Sequence, residues 1–193
     1  MRVVRFADWR QMPWKNGGGV TAEIAVSPAG AGMDDFDWRI SAAQVDRAGP
    51  FSRFPGVART LFMLRGQGMV LKGPEFGSVV LTTDSPAFAF SADSPVDAEL
   101  VDGPILDLNI MSRRSRTRHV ATRLAIEGRR TIPAAGAVTL IHSLSSVVAV
   151  QVGGESTVLG RNDTAIIEMA GHAIDVVVDE PSEVVVTTVE FVD

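Results

Sequence analysis

The sequence predicts an all-β protein on three observations. Short β-branched or aromatic runs recur along the chain, each bounded by Gly, Pro, Asp or Ser. No amphipathic pattern reaches helix length, and the second half echoes the strand and turn pattern of the first. Many short strands at regular spacing indicate a sandwich or barrel rather than a parallel sheet with crossover helices.

The strands expected in the first half are Val3 to Phe6, Thr21 to Val26, Trp38 to Val45, Thr60 to Leu64, Gly68 to Lys72, Ser78 to Thr82, Ala87 to Phe90, Val96 to Val101 and Ile105 to Met111. In the third of these, period two puts Phe36, Trp38 and Ile40 on one face and Asp37, Arg39 and Ser41 on the other, so one face is apolar and one can bind. The stretch Pro50-Phe51-Ser52-Arg53-Phe54-Pro55-Gly56 is too rich in proline for a central strand. It is expected to be a rigid turn whose two aromatic rings plug a barrel end. Thr60 to Leu71 can be laid on Ser146 to Leu159, Asp84 to Phe90 on Asp163 to Met169, and Val96 to Met111 on Ile174 to Phe191.

The densest motif is Met12-Pro13-Trp14-Lys15-Asn16-Gly17-Gly18-Gly19-Val20-Thr21-Ala22-Glu23-Ile24. Successive glycines leave main-chain N–H groups unshielded, so such a loop can hold an anion against its backbone or simply turn between strands. It is not a nucleotide phosphate loop. No Gly-Lys-Ser/Thr follows at the required spacing, and the residues after Gly19 alternate like a strand.

Taken in order, Pro13 to Gly19, Thr21 and Glu23, Trp38-Arg39-Ile40-Ser41, Gly49-Pro50-Phe51-Ser52, Phe54-Pro55-Gly56, Arg59 and Leu108-Asn109-Ile110-Met111 resemble the HutD/Ves family. The resemblance covers about the first 110 residues. It implies a cupin-type β-barrel protein associated with bacterial histidine utilisation or, in the Ves branch, with stress and cold responses. With the internal repeat, the expected architecture is a bicupin, two cupin-like β-barrel or jelly-roll repeats packed as one unit. Residues 1–112 form the motif-bearing N-terminal repeat and 113–193 the C-terminal one.

Composition narrows the function classes. The chain has 193 residues, no cysteine and a formal charge of −5, which excludes disulfides and thiolate catalysis and argues against general nucleic-acid binding. The arginine-rich tract from Arg113 to Arg130 lacks interleaved aromatics and is expected to be a solvated linker between repeats. No signal core or membrane-length apolar run is present, so the expectation is a cytoplasmic protein with no membrane or nucleic-acid partner and with room for a homodimer.

A catalytic cupin holds its metal with histidines and a carboxylate converging from neighbouring strands. Here the histidines are His119, His142 and His172, with no His-x-His pair, and they are expected to be unrelated surface or turn residues. No metal and no cofactor are predicted. No Gly-x-Ser-x-Gly elbow marks a serine hydrolase. Glu23 and Asp107 are candidates for an acid–base pair of an enzyme of unassigned class, a hydrolase or isomerase.

The candidate ligand-binding set is Lys15 and Asn16 from the glycine loop, Glu23, Arg39 and Ser41 from strand faces, Ser52 from the proline turn, Arg59 from a strand start, and Asp107 and Asn109 from one face of a later strand. Arginine offers a planar fork to a carboxylate and lysine a point charge, so the set suits a small organic anion. The competing expectation pairs Arg39 and Arg59 with Glu23 and Asp107 as buried structural bridges. A further alternative is a structural or partner-binding protein with no functional pocket. Trp14 is a candidate pocket wall and Trp38 a core residue. In the context of histidine utilisation, the resemblance suggests urocanate or N-formylglutamate as ligand, in a regulatory role.

Overall fold

A computed structural model of the chain describes residues 1–14, 18–145 and 147–192. Its chain splits into two compact units, Arg10–Thr117 and a second made of Met1–Trp9 with Arg118–Asp193. The linear division at 112/113 therefore moves to 117/118, and the first nine residues change sides. The physical reason is strand pairing: β1 (Arg2–Val4) pairs antiparallel with a strand near the C-terminus, Arg2 opposite Ile166 and Val4 opposite Thr164.

After a single 3₁₀ turn at Phe6–Asp8, the first unit begins with β2 (Arg10–Pro13), β3 (Gly19–Ser27) and β4 (Trp38–Val45). It continues with β5 (Gly49–Pro50), β6 (Val57–Arg65), β7 (Met69–Gly73) and β8 (Gly77–Leu81). It closes with β9 (Phe88–Ser91), β10 (Asp97–Leu100) and β11 (Ile105–Arg113). The remaining strands are β12 (Thr117–Ile126), β13 (Arg129–Pro133), β14 (Val138–Ser143), β15 (Val148–Val152), β16 (Glu155–Leu159), β17 (Thr164–Ile167), β18 (Ala173–Val177) and β19 (Ser182–Phe191).

The strand orders repeat. One unit has the sheets β2-β3-β4-β11-β6-β9 and β5-β10-β7-β8; the other has β12-β19-β14-β17-β1 and β13-β18-β15-β16. Adding eight to each number of β4-β11-β6-β9 and β5-β10-β7-β8 reproduces the second set, with β2, β3 and β1 as additions at sheet edges. This correspondence corrects one alignment. The counterpart of the β15–β16 hairpin is β7–β8, whose register Met69 to Leu81 matches Val148 to Leu159, and not the β6–β7 pair. Gly66 and Gly153 accordingly occupy different turns.

Alternation fills the two interiors differently. In the second unit Ile141, Val148, Val150, Ala165, Ile167, Val184 and Val186 belong to one aliphatic cluster. In the first, Ala43, Val45, Leu61, Met63, Met69 and Leu71 cluster toward one end. A separate group of Phe36, Val57, Ala92 and Met111, with Phe54 against it, lies at the other. Polar residues occupy the faces between these clusters. The arginine tract is not a linker: Arg113 lies in β11 and donates to the carbonyls of Phe36 and Asp34, Arg114 pairs with Asp93, and Arg116 pairs with Asp37. Arg118 and Arg123 lie in β12.

Candidate functional site

The central strand of the site is β11, which pairs with β4 on one side and β6 on the other. Asp107, Asn109 and Met111 share one face by alternation. Their partners make successive rungs: Ala43–Asp107–Met63, Ser41–Asn109–Leu61 and Arg39–Met111–Arg59. Register shifts next to two of these residues leave Leu64 of β6 and Ile24 of β3 without opposite numbers, a local irregularity that re-aims neighbouring side chains.

These faces open into a cavity of about 730 Å³ in the first unit. Arg39, Ser41, Ser52, Arg59, Asp107 and Asn109 all line it. Glu23 is not among the lining residues; its carboxylate accepts from Arg39 Nε at 3.0 Å behind the wall. Lys15 and Asn16 lie outside the described residues. Trp14 is a wall, as expected, and Trp38 is buried in the core. Sequence reasoning missed Arg47, an exposed cation on the cavity wall, and the apolar Met12 and Met33. A lone arginine in a turn carries no signal that would have found it.

Gly19 explains part of the glycine motif. A Cβ there would lie 2.2 Å from the Gln44 carbonyl oxygen and 3.2 Å from the Trp14 ring. The indole therefore lies against bare backbone, with its Nε1 donating to Thr21 Oγ1 at 2.7 Å.

The two arginines differ. Arg39, with a side chain only 3% exposed, donates to Glu23 and, through Nη1, to Ser41 Oγ at 3.1 Å, while its Nη2 is buried with no hydrogen-bond partner. The expected Arg39–Glu23 bridge thus forms. The expected Arg59–Asp107 bridge does not. Arg59 instead lies among aromatic rings, its guanidinium carbon 4.8 Å from the Phe51 centroid, 5.8 Å from Phe54 and 5.9 Å from Phe90. Phe90 is its register partner on β9. The rings of the proline turn therefore stack on a cation, a favourable use of the aromatic quadrupole. Arg59 Nε and Nη1 are buried and unpartnered. Burial lowers its pKa to about 10, opposed by Asp107 and aided by Arg39.

Asp107 is fully buried. Its Oδ1 accepts from Asn109 Nδ2, while Asp107 Oδ2 and Asn109 Oδ1 have no partner. Desolvation pushes the Asp107 carboxyl up to about 7, against the opposing effects of Arg59, the Asn109 amide and the Ala43 backbone N–H. The cavity thus holds orphaned guanidinium donors together with orphaned carboxyl and amide acceptors. Leaving such groups buried and unpaired costs on the order of 1–3 kcal/mol each, so the arrangement suits an occupant with complementary polarity.

Among the described residues no three His, Cys, Asp or Glu side chains come together as a metal site. His142 corrects the expectation of a surface or turn residue: it is buried in β14, its Nδ1 is 2.9 Å from Thr164 Oγ1, and its ring stacks on Trp9 at 6.2 Å. His119 is partly buried in β12 and His172 is exposed.

A sequence model of the HutD family matches residues 6–186. The chain belongs to the HutD family. It is 36% identical over 155 residues to an uncharacterised 21.2 kDa protein from the hutC 3′ region of Pseudomonas putida, covering 80% of this chain and 79% of that one. It is 38% identical over 144 residues to Protein Ves of Citrobacter koseri, covering 72% and 73%. A crystal structure of a conserved protein of unknown function from Pseudomonas aeruginosa PAO1 superposes with a TM-score of 0.91 at 34% identity, over 98% of both chains. HutD from Pseudomonas fluorescens SBW25, in a formate condition, gives 0.84 at 31% identity over 100% of this chain and 99% of that one. A cupin 2 conserved barrel domain protein from Leptotrichia buccalis gives 0.64 at 13% identity over 98% and 96%, a likeness of fold alone. No helix among the described residues is long and apolar enough to cross a membrane.

Proposed function

We propose that this HutD-family chain is a bicupin that binds a small organic carboxylate in the cavity of its first unit, without a metal and in a regulatory role linked to histidine utilisation. The observation that carries the reading is the unpartnered, buried Nη2 of Arg39 with Nε and Nη1 of Arg59, donors from two strands flanking Met111. Arginine forks bind carboxylates in charge-assisted hydrogen bonds, and a dry site strengthens them. The unpartnered Oδ1 of Asn109, on the neighbouring rung, supplies an acceptor for an N–H on the same ligand, with Asp107 beside it as a second polar group.

Urocanate and N-formylglutamate carry both functions, a carboxylate and a polar nitrogen group. The family's naming after the histidine-utilisation locus supports these choices. The bicupin reading is supported by the repeated strand order, and a cytoplasmic location is compatible with the absence of cysteine.

The test is a thermal-shift and calorimetric comparison of formate, urocanate and N-formylglutamate with size-matched amines. A carboxylate that binds the folded state raises its melting temperature, and amines do not. No shift with any of the three acids at millimolar concentration overturns the reading.

A further inference from the structure

Among the described residues Asp107 is the buried acid of the first unit. Three less buried acids there are held by direct ion pairs, Glu23 to Arg39, Asp37 to Arg116 and Asp93 to Arg114. Asp107 has no such pair among the described residues, has one unpartnered oxygen, and shares a cavity with two arginines. Its strand neighbours are Ala43 on β4 and Met63 on β6, and β10 contributes Ala98 to the same cavity. The charged groups facing the cavity are Arg59 from β6, Arg39 from β4 with Glu23 behind it, and Arg47 from the turn after β4. Lys15 of the glycine loop lies outside the described residues.

We propose that anion binding in this cavity is coupled to uptake of a proton by Asp107, so that the ligand carboxylate is held beside a neutral carboxylic acid. The proposal rests on the carboxylate-binding reading above. In the empty site the Arg59 charge favours the ionised form of Asp107 against its burial. A carboxylate docked on Arg59 and Arg39 brings one negative charge that offsets the field of Arg59 at Asp107, and this favours the protonated form. The proton comes from solvent and rests on Oδ2, the unpartnered oxygen, which then acts as a donor. No bond of the ligand is made or broken.

The direction of the linkage follows. An empty-site Asp107 that titrates near 7 is already protonated at lower pH, and there anion binding needs no proton. Above that range each ligand bound takes up as much as one proton, and affinity falls by up to tenfold per pH unit until the bound-state pKa is reached.

The experiment uses N-formylglutamate and formate, neither of which titrates between about pH 5.5 and pH 8.5. Affinities are measured by calorimetry across that range, and at about pH 7.5 in two buffers of different ionisation enthalpy, which reports protons taken up. The expected result is a flat affinity below pH 7, a fall above it, and net proton uptake by the wild-type protein. Asp107→Asn, which keeps the shape and removes the titration, is expected to give a flat profile. Binding with a flat wild-type profile and no proton uptake overturns the coupling and leaves the carboxylate reading standing, as does proton release. Binding of neither probe at any pH overturns both.

Discussion

Arg39 and Arg59 are register partners of the same residue, Met111, one from each flanking strand. Two cations are thereby brought to one rung of a sheet although 20 positions separate them in sequence, and only Arg39 is given a carboxylate partner within bonding distance. The difference between the two supplies the sharpest tests.

Arg39→Met is expected to weaken carboxylate binding by on the order of 1.5–3 kcal/mol, the worth of a charge-assisted hydrogen bond. Its structural cost is expected to stay below the 3–5 kcal/mol of a broken, fully buried pair. The reason is that Glu23 is 24% exposed and is hydrated when its partner leaves. Calorimetry and denaturant unfolding of the one variant check both numbers.

Arg59→Met is expected to abolish binding while leaving the melting temperature unchanged or raised. The guanidinium has unpartnered N–H groups in a buried site, and a thioether of similar length fills the space among Phe51, Phe54 and Phe90 without them. A large loss of stability with binding retained would identify Arg59 as a purely structural cation.

Gly19→Ala is expected to lower both stability and affinity, because its Cβ meets backbone at the Gln44 carbonyl and displaces the Trp14 wall. Trp fluorescence, with Trp9 and Trp38 as fixed contributors, reports the displacement. An alanine variant with unaltered emission and unfolding midpoint would show that the close approach is dispensable.

The second unit contains a pH-dependent element of its own. Burial lowers the His142 pKa to about 4 from 6.5, with Asp163 opposing. A depressed histidine contributes stability that is fully present above about pH 6.5 and lost as pH falls toward 4. The difference in unfolding free energy between wild type and His142→Gln is therefore expected to shrink by on the order of 3 kcal/mol across that range. Asp107, raised to about 7, has the opposite sign, since its contribution is present at low pH and lost as pH rises through 7. It is common to both proteins and cancels. Equal pH profiles for the two would show that His142 is hydrated.

The strands of the first half were legible because their apolar positions alternate and their ends carry Gly, Pro or Asp; β4 and the starts of β9 and β11 fall within a residue of expectation. β12 was not, since its arginines at 118 and 123 dilute the alternation into something resembling a linker. The hairpin correspondence slipped by one because strand, glycine and strand recur at both β6–β7 and β7–β8. At the site, local alternation sufficed to put Arg39 with Ser41 and Asp107 with Asn109. Whether Arg59 would meet Asp107 or three aromatic rings depends on cross-strand register and on the path of the proline turn, neither of which is written locally.

The pairing of β1 with β17 has a consequence for synthesis. β1 is made before the unit from Arg10 to Thr117 and has its partner after it, at residues 164–167, whereas that unit contains all of its own sheet partners. Loop closure over so long a span is entropically late, so β1 waits, unpaired, while the intervening polypeptide is made. A gene cut at the 117/118 junction would therefore separate β1 from its partner.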